Sequence, residues 1–523
     1  MNRLADRSAP AATRQSRLIL VATFALVFYA QWGTGIATDD FGLLLRAVNG
    51  SLASNVWPGM YIATPLLNVT HGLGYLAIGT HFWGYSLLKA AYLLFAIYAA
   101  QRFLSLHVTP LRAWLGALLL LLSPLNDGAT LWFAGQYLIL SLAFYCLAYV
   151  KADQNRPIAA FVLALCGSFI SYGSTPLAAG LSLRFGLDKR WRAAALMLAP
   201  NVIYSCYYVY TSAFLGIGTS RLPGQLSLST LAKSYLAQVA SFLDATAGPS
   251  ALLKYVLSLG SLSWMSFGVS LAAAACLWRW SREELNSTTR HRRTSRLLVG
   301  FGAVAVLALG LFALTSSYPQ MAFNLGNRTM IFGNLFLVAL LLHVAETRVL
   351  TAITAVSIAA FLGLSDHWAT WNRVVMESAA RIRSLDAPMA PDDTLFVRGL
   401  QYSQLGPMTH IDHFTATYVV RDVFAAARKG RPVIRTASFN RRLRVSSEYL
   451  VDIKYGDRVA IGESIWLYDA ERNTLARIER NEIAAQLAGL PSELRHWTQL
   501  VGPGALRDTI LTLMPRLAYA YGD

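Results

Sequence analysis

Charged residues are scarce in this chain. They make up 14% of 523 residues, where an ordinary soluble domain has roughly 25%. A soluble chain of this length would need several polar-surfaced domains, and the first two-thirds cannot supply such a surface. Cysteine is scarce too. Cys146, Cys166, Cys206 and Cys276 each fall inside an apolar run, which excludes a disulfide scaffold and a thiolate metal centre. There is no P-loop, no GxGxxG, no internal repeat and no low-complexity tract, so no nucleotide site and no solenoid is indicated.

What is abundant is apolar. Hydrophobic residues reach 55% and mean hydropathy is +0.42. The fold class is therefore a polytopic α-helical membrane protein. Eleven apolar spans are expected, near 17–36, 81–103, 110–123, 130–150, 157–171, 174–187, 193–213, 256–279, 297–317, 329–345 and 348–365. The short pair 157–171 and 174–187 also fits a re-entrant hairpin. The first run lacks a small-residue cleavage site and reads as an uncleaved span.

The net charge is +17, with a pI near 9.8. A basic pI alone would suggest nucleic acid, but the excess lies in short loops between apolar runs. Residues 1–365 hold 25 Lys/Arg against 10 Asp/Glu, whereas residues 366–523 hold 20 against 18. With the N-terminus in the cytoplasm, inside loops carry 19 cations and outside loops five. The positive-inside rule then predicts a cytoplasmic N-terminus and a C-terminal domain on the outer side, periplasmic in a bacterial inner membrane.

Two domains are expected: membrane-embedded 1–365, and a small α/β domain over 366–523. Within the first, outer segments 37–80 and 214–255 are long. The former carries Trp57, Tyr61 and Tyr75, with Phe82 and Trp83 just beyond it, and Trp and Tyr favour the membrane interface. The latter contains an amphipathic pattern suited to an interfacial helix. In the second domain, 394–400, 448–455 and 464–470 read as strands, and 365–385, 481–490 and 504–520 as helices.

Acids in a membrane domain are expensive, and four are expected on the outer side: Asp39, Asp40, Asp127 and Asp244. Asp39 and Asp40 follow the first span directly. Asp127 follows the third. Three carboxylates could meet at one mouth, where crowding and low dielectric raise pKa values and suit one of them as a general base. The alternative is that Asp39 and Asp40 cap a helix and Asp127 makes a turn beside Gly128. Arg328 and Lys89 suit a lipid phosphate at the bilayer edge, or interfacial snorkelling. His71 and His81 read as structural histidines, and His410, Asp412 and His413 as a turn, so no metal site is assigned.

An acid pair after the first span with a further acid after the third resembles the GT-C superfamily of integral membrane glycosyltransferases. Residues 79–94 look like the family's glycine and aromatic before a Leu-rich second span. Residues 123–140 are closer, with Pro124, Asp127, Trp132, Gly135 and Gln136 carrying the match. Residues 168–177 are similar to its hairpin between spans five and six, with Tyr172, Gly173 and Ser174 where the family often has Lys or Glu. The resemblance covers roughly residues 17–190 plus Arg328.

It implies an inverting transfer of a sugar from a polyprenyl-phosphate donor to a lipid-linked or surface polysaccharide. Asp39 or Asp40 would be the base, with Asp127 sharing the site. Arg328 and Lys89 would hold the donor phosphate, with the tail in a groove near 214–255. Trp57, Tyr61, His71, Trp132, Gln136 and Tyr172 would contact substrate. A monophosphate needs less charge neutralisation than a diphosphate, so no obligatory metal is expected and a divalent cation stays an option. The rivals are an O-antigen-type polymerase or ligase, which relies on outer-loop arginines, and a lipid or solute transporter, which would show paired halves.

Overall fold

The computed structural model describes residues 9–49, 64–79, 81, 83–214, 227–284, 294–315, 320–385, 389–390, 392–428, 435–446, 449–453, 457–490 and 493–513. Trp57 and Tyr61 lie outside the described residues. Helices of seven residues or more are numbered in chain order. They begin with α1 (Ala9–Gln31), α2 (Asp39–Asn49), α3 (Trp83–Leu104), α4 (Pro110–Leu121), α5 (Tyr137–Asp153) and α6 (Pro157–Ile170). Next come α7 (Ser174–Leu187), α8 (Trp191–Ala213), α9 (Leu228–Ala247), α10 (Pro249–Gly260) and α11 (Trp264–Glu284). The membrane helices end with α12 (Thr294–Thr315), α13 (Ile331–Val344) and α14 (Thr347–Ser384). Among the described residues five helices are long and apolar enough to cross a membrane, or six if the bent pair around residue 262 counts as one. The chain is a multi-pass α-helical membrane protein with an α/β C-terminal region.

Proline sets several starts. Pro110, Pro157 and Pro249 occupy the first turns of α4, α6 and α10, where the missing N–H costs nothing and φ is already helical. Two expectations need correction. The span expected at 256–279 is broken: the helix ending at Gly260 meets α11 at 113°. Ser258 and Leu259 carbonyls close the turn, and Asp366 Oδ2 accepts the Ser263 N–H at 2.8 Å. The apolar run 348–365 and the polar helix 365–385 are one helix, α14, 38 residues long. At 1.5 Å per residue it extends roughly 57 Å, well beyond a hydrocarbon core of about 30 Å. It carries Trp368, Trp371 and Asn372 rigidly to the junction with the C-terminal region.

That region holds β1 (Thr394–Arg398), β2 (Tyr402–Leu405), β3 (Met408–Asp412), α15 (Thr417–Ala427), β4 (Arg435–Ser438), β5 (Leu443–Val445), β6 (Tyr449–Asp452) and β7 (Arg458–Ala460). It continues with β8 (Ile465–Asp469), β9 (Thr474–Arg477), α16 (Glu482–Ala488) and α17 (Ala505–Leu513). The main sheet runs β4-β1-β8-β9, with β1 parallel to β4 and β8, and β9 antiparallel. Its central strand β1 is apolar and buried at Leu395, Phe396 and Val397, as a strand covered on both faces must be. The chain leaves the C-terminal end of β1 into the β2–β3 hairpin and then α15. In open parallel sheets that end is where ligands and partners bind, and here these segments face the membrane helices. His410 and Asp412 lie in β3, not in a turn.

Helix α14 is held to its neighbours at close range. A Cβ on Gly363 would lie 1.8 Å from the Ser258 carbonyl oxygen of α10, a backbone atom that cannot rotate away. Tyr255 and Ser357 bridge the same two helices at 2.9 Å. Gly363→Ala is expected to destabilise by about 1–3 kcal/mol through overpacking. Gly268→Ala, whose added carbon meets nothing within 4 Å, should melt at or slightly above wild type. Melting midpoints in one detergent check both, and equal midpoints for the two variants would refute the packing argument.

Candidate functional site

The turn from α1 to α2 brings Asp39 and Asp40 to the junction. Gly35 has φ +54, and a Cβ there would meet Asn372 Oδ1 of α14 at 1.9 Å, so only glycine serves. The two carboxylates then part company. Asp40 is fully buried. Its Oδ2 accepts the Ala37 N–H at 2.8 Å, and its Oδ1 accepts the Tyr75 hydroxyl at 2.6 Å and the Ala134 N–H at 3.0 Å. Burial pushes its carboxyl up to about 7 against the opposing pull of Ala37 N–H, the Tyr75 hydroxyl and the Lys89 ammonium. Asp39 is only half-buried, and its Oδ1 accepts the Tyr418 hydroxyl at 2.9 Å.

Trp132 and Arg328 adjoin the same turn. Trp132 Nε1 donates to the Ala37 carbonyl at 3.2 Å, and the Arg328 guanidinium stands 5.0 Å above the indole ring. Arg328 is half-exposed and its NH1 donates to the Leu325 carbonyl at 3.0 Å. A cation, an aromatic face and an acid pair are thus contiguous.

The other candidate positions are engaged in the protein. Lys89 is fully buried, and its ammonium donates to Thr34 Oγ1 at 2.5 Å, the Gly35 carbonyl at 2.8 Å and the Leu131 carbonyl at 2.9 Å. All three hydrogens are spent on fixing the Gly35 turn against the segment after α4. Gln136 Nε2 donates to the Thr130 carbonyl at 2.7 Å. His71 Nε2 meets the Phe133 carbonyl at 3.0 Å, with burial taking its pKa down to about 4. Tyr172 accepts from the Tyr137 hydroxyl at 2.7 Å.

Asp127 is fully buried and saturated. Its Oδ1 accepts Lys254 Nζ at 2.7 Å and Asn327 Nδ2 at 2.5 Å. Its Oδ2 accepts Trp368 Nε1 at 2.8 Å and His410 Nε2 at 2.9 Å. The Asn324 N–H donates to His410 Nδ1 at 3.2 Å, so Nδ1 carries the lone pair and Nε2 the proton. Burial would raise the Asp127 carboxyl, but the Lys254 ammonium and His410 outweigh it and hold the carboxyl well below the usual range. Asp244 does the same work elsewhere, accepting His496 Nε2 at 2.8 Å and Trp497 Nε1 at 3.2 Å. Asp39, Asp127 and Asp244 therefore each receive a donor from the C-terminal region, and Asp40 alone is satisfied by segments before it.

Sequence reasoning placed His410 in a turn and missed Lys254, Asn327, Trp368 and Tyr418 as partners of these acids. Lys254 had a signal, a lone cation in the apolar stretch 250–260. The rest had none, since their partners lie more than a hundred residues away. His413 is also buried, between Phe41, Trp371 and Phe414. Neither ring nitrogen has a hydrogen-bond partner among the described residues. Among those residues no group of three or more His, Cys, Asp or Glu could hold a metal ion.

No family model matches the chain, and no curated protein does. Among solved structures it is similar to ArnT from Cupriavidus metallidurans bound to undecaprenyl phosphate, at 14% identity and a TM-score of 0.36, over 80% of this chain and 85% of that one. A likeness this distant fixes no activity.

Two outcomes follow from the buried groups. Asp127→Ala strands the Lys254 ammonium in the interior, which is expected to cost about 3–5 kcal/mol, seen as loss of the monodisperse peak or of most of the melting transition. An unchanged midpoint would show that the cluster is not structural. His413 has the opposite character. Burial takes its pKa from 6.5 to about 3, so between those values the unfolded chain binds the extra proton and stability falls as pH drops. From pH 7 to pH 5 the loss is about 2 kcal/mol. His413→Phe should flatten the midpoint-against-pH curve over that range; an identical slope in the variant would contradict it.

Proposed function

We propose that the chain is a membrane glycosyltransferase of the GT-C kind, moving a sugar from a polyprenyl-phosphate donor to a glycan or glycolipid hydroxyl. The observation that carries the reading is the division of the acid pair. Asp40 is closed off by three hydrogen bonds, while Asp39 stays half-exposed at the junction of the membrane helices and the C-terminal region. That is the arrangement a general base needs: one carboxylate reachable by an acceptor, the other fixing its backbone.

On this reading Asp39 takes the proton of the acceptor hydroxyl as its oxygen attacks the anomeric carbon from the face opposite the phosphate. The bond to the phosphate oxygen breaks with its electron pair, and polyprenyl phosphate leaves with inversion. Arg328, half-exposed over Trp132, meets the growing phosphate charge. Lys89 holds the Gly35 turn through its three internal bonds and acts through backbone position. Leu236, Leu243, Leu252 and Val256 of α9 and α10 are exposed and suit the apolar tail. A monophosphate leaving group with Arg328 beside it needs no bound metal, and activity in excess EDTA tests that.

The test is a panel of polyprenyl-phosphate hexoses and pentoses, offered with cell-envelope glycolipid and read by mass spectrometry. Wild type should transfer sugar, and Asp39→Asn should lower kcat by about 10²–10⁴-fold with little change in melting. Asp40→Asn should lower the melting midpoint, because an amide cannot accept all three hydrogen bonds. Wild-type rates in Asp39→Asn would remove Asp39 as the base. No transfer from any monophosphate donor by folded protein would favour a polymerase or ligase acting on a different donor.

A further inference from the structure

Helix α15 lies against α2, and two of its residues, one turn apart, face the acid pair. Tyr418 donates its hydroxyl to Asp39 Oδ1 at 2.9 Å. Asp422, four residues on, packs against α2 at Gly42. A Cβ at position 42 would stand 2.3 Å from Asp422 Oδ2, so glycine there is what admits the second carboxylate. Gly42 is one helical turn after Asp39, which puts Asp39 and Asp422 on the same strip of the interface. Their charges act on each other: burial first, and the Asp39 carboxylate among lesser causes, raise the Asp422 carboxyl, while Arg421 and Arg46 pull it down.

We infer that α15 completes the acid site, with Tyr418 as the positioning residue that orients the Asp39 carboxylate and Asp422, packed on Gly42, as a second carboxylate on the same face. This rests on the reading of Asp39 as a base. The argument is one of cost. Two like charges on one strip of an interface oppose docking, a cost that Arg421 and Arg46 beside Asp422 offset in part. Two carboxylates in one site hold a proton at higher pH than either alone, and a base of raised affinity is the better proton acceptor near neutrality. Asp40 and Arg46 lie on α2 itself, and Asp40, though bonded to Ala134, still feels the Asp39 charge. Tyr418, Arg421 and Asp422 lie on α15, with Arg421 Nε 3.3 Å from Asp422 Oδ1. Arg421 also pulls down the Asp457 carboxyl.

The two contacts oppose each other, which makes them separable. Losing the Tyr418 hydroxyl removes a bond to ionised Asp39 and raises its pKa. Losing the Asp422 charge lowers it. The experiment uses the full-length chain in detergent, as wild type, Tyr418→Phe and Asp422→Asn. A carbodiimide and an amine tag protonated Asp39 at a series of pH values, and peptide mass spectrometry reads the extent. The midpoint for Asp39 should move up by about 0.5–1 unit in Tyr418→Phe and down by a similar amount in Asp422→Asn. The acid limb of kcat/KM for sugar transfer should move the same way in each. Coincident midpoints in protein that transfers sugar would overturn the coupling and leave the glycosyltransferase reading intact. A uniform loss of rate with an unmoved limb would likewise assign α15 to packing alone. Midpoints that shift in opposite directions while wild type transfers no sugar would sustain the coupling and sink the reading of Asp39 as a transferase base.

Discussion

The buried carboxylate of Asp127 is the point on which the architecture turns. Burying an ionised carboxylate is tolerable only if its lone pairs are filled and its charge is matched. Four donors do this, from α10, from the segment before α13, from α14 and from β3. No two of them are close in the chain, so the residue can be satisfied only when all four segments have arrived. A cluster of this kind adds little net stability over apolar packing, and its service is to penalise every other arrangement. The break between α10 and α11 and the length of α14 follow from it. One lets Lys254 reach inward from a short helix, and the other carries Trp368 beyond the apolar stretch.

The same logic extends along the junction. Asp39, Asp127 and Asp244 each take a hydrogen bond from the C-terminal region. Carboxylates accept only, and the C-terminal side offers donors at those points: a tyrosine, two histidines and a tryptophan. The docking is therefore directional and set at three separated places, enough to fix orientation. A helix held in this way, α15, keeps the Tyr418 hydroxyl on the Asp39 carboxylate with the accuracy that the proposed general base would require.

Most of the helical architecture was legible in the sequence because apolar runs in a membrane protein have few alternative fates. Each of the eleven expected runs overlaps a helix, with ends differing by up to eight residues apart from the long α14, and among the described residues five or six of these helices are long and apolar enough to cross a membrane. The exceptions have a physical cause. Hydropathy does not register the turn at 261–263, where serines and a distant Asp366 N-cap the next helix, and it cannot tell that α14 continues past its apolar half. In the C-terminal region the three strands read from β-rich runs are present as β1, β6 and β8; the short strands β4, β5, β7 and β9 went unread, and so did β2, β3 and α15. Their sequences are mixed, and their burial comes from docking against helices hundreds of residues earlier.

The acids show the same division more sharply. That Asp39, Asp40 and Asp127 matter could be read from their rarity beside apolar runs. What each does could not, because a carboxylate's role is set by how many donors reach it. Asp127 collects four and becomes a structural centre. Asp40 collects three and becomes the fixed end of a turn. Asp39 takes a hydrogen bond from a residue 379 positions away and keeps part of its surface. Adjacent in sequence, Asp39 and Asp40 leave the helix start in different directions, as the 100° step of a helix requires. The fold thereby makes two unlike groups from one dipeptide: an acid locked in place, and beside it an acid that keeps part of its surface.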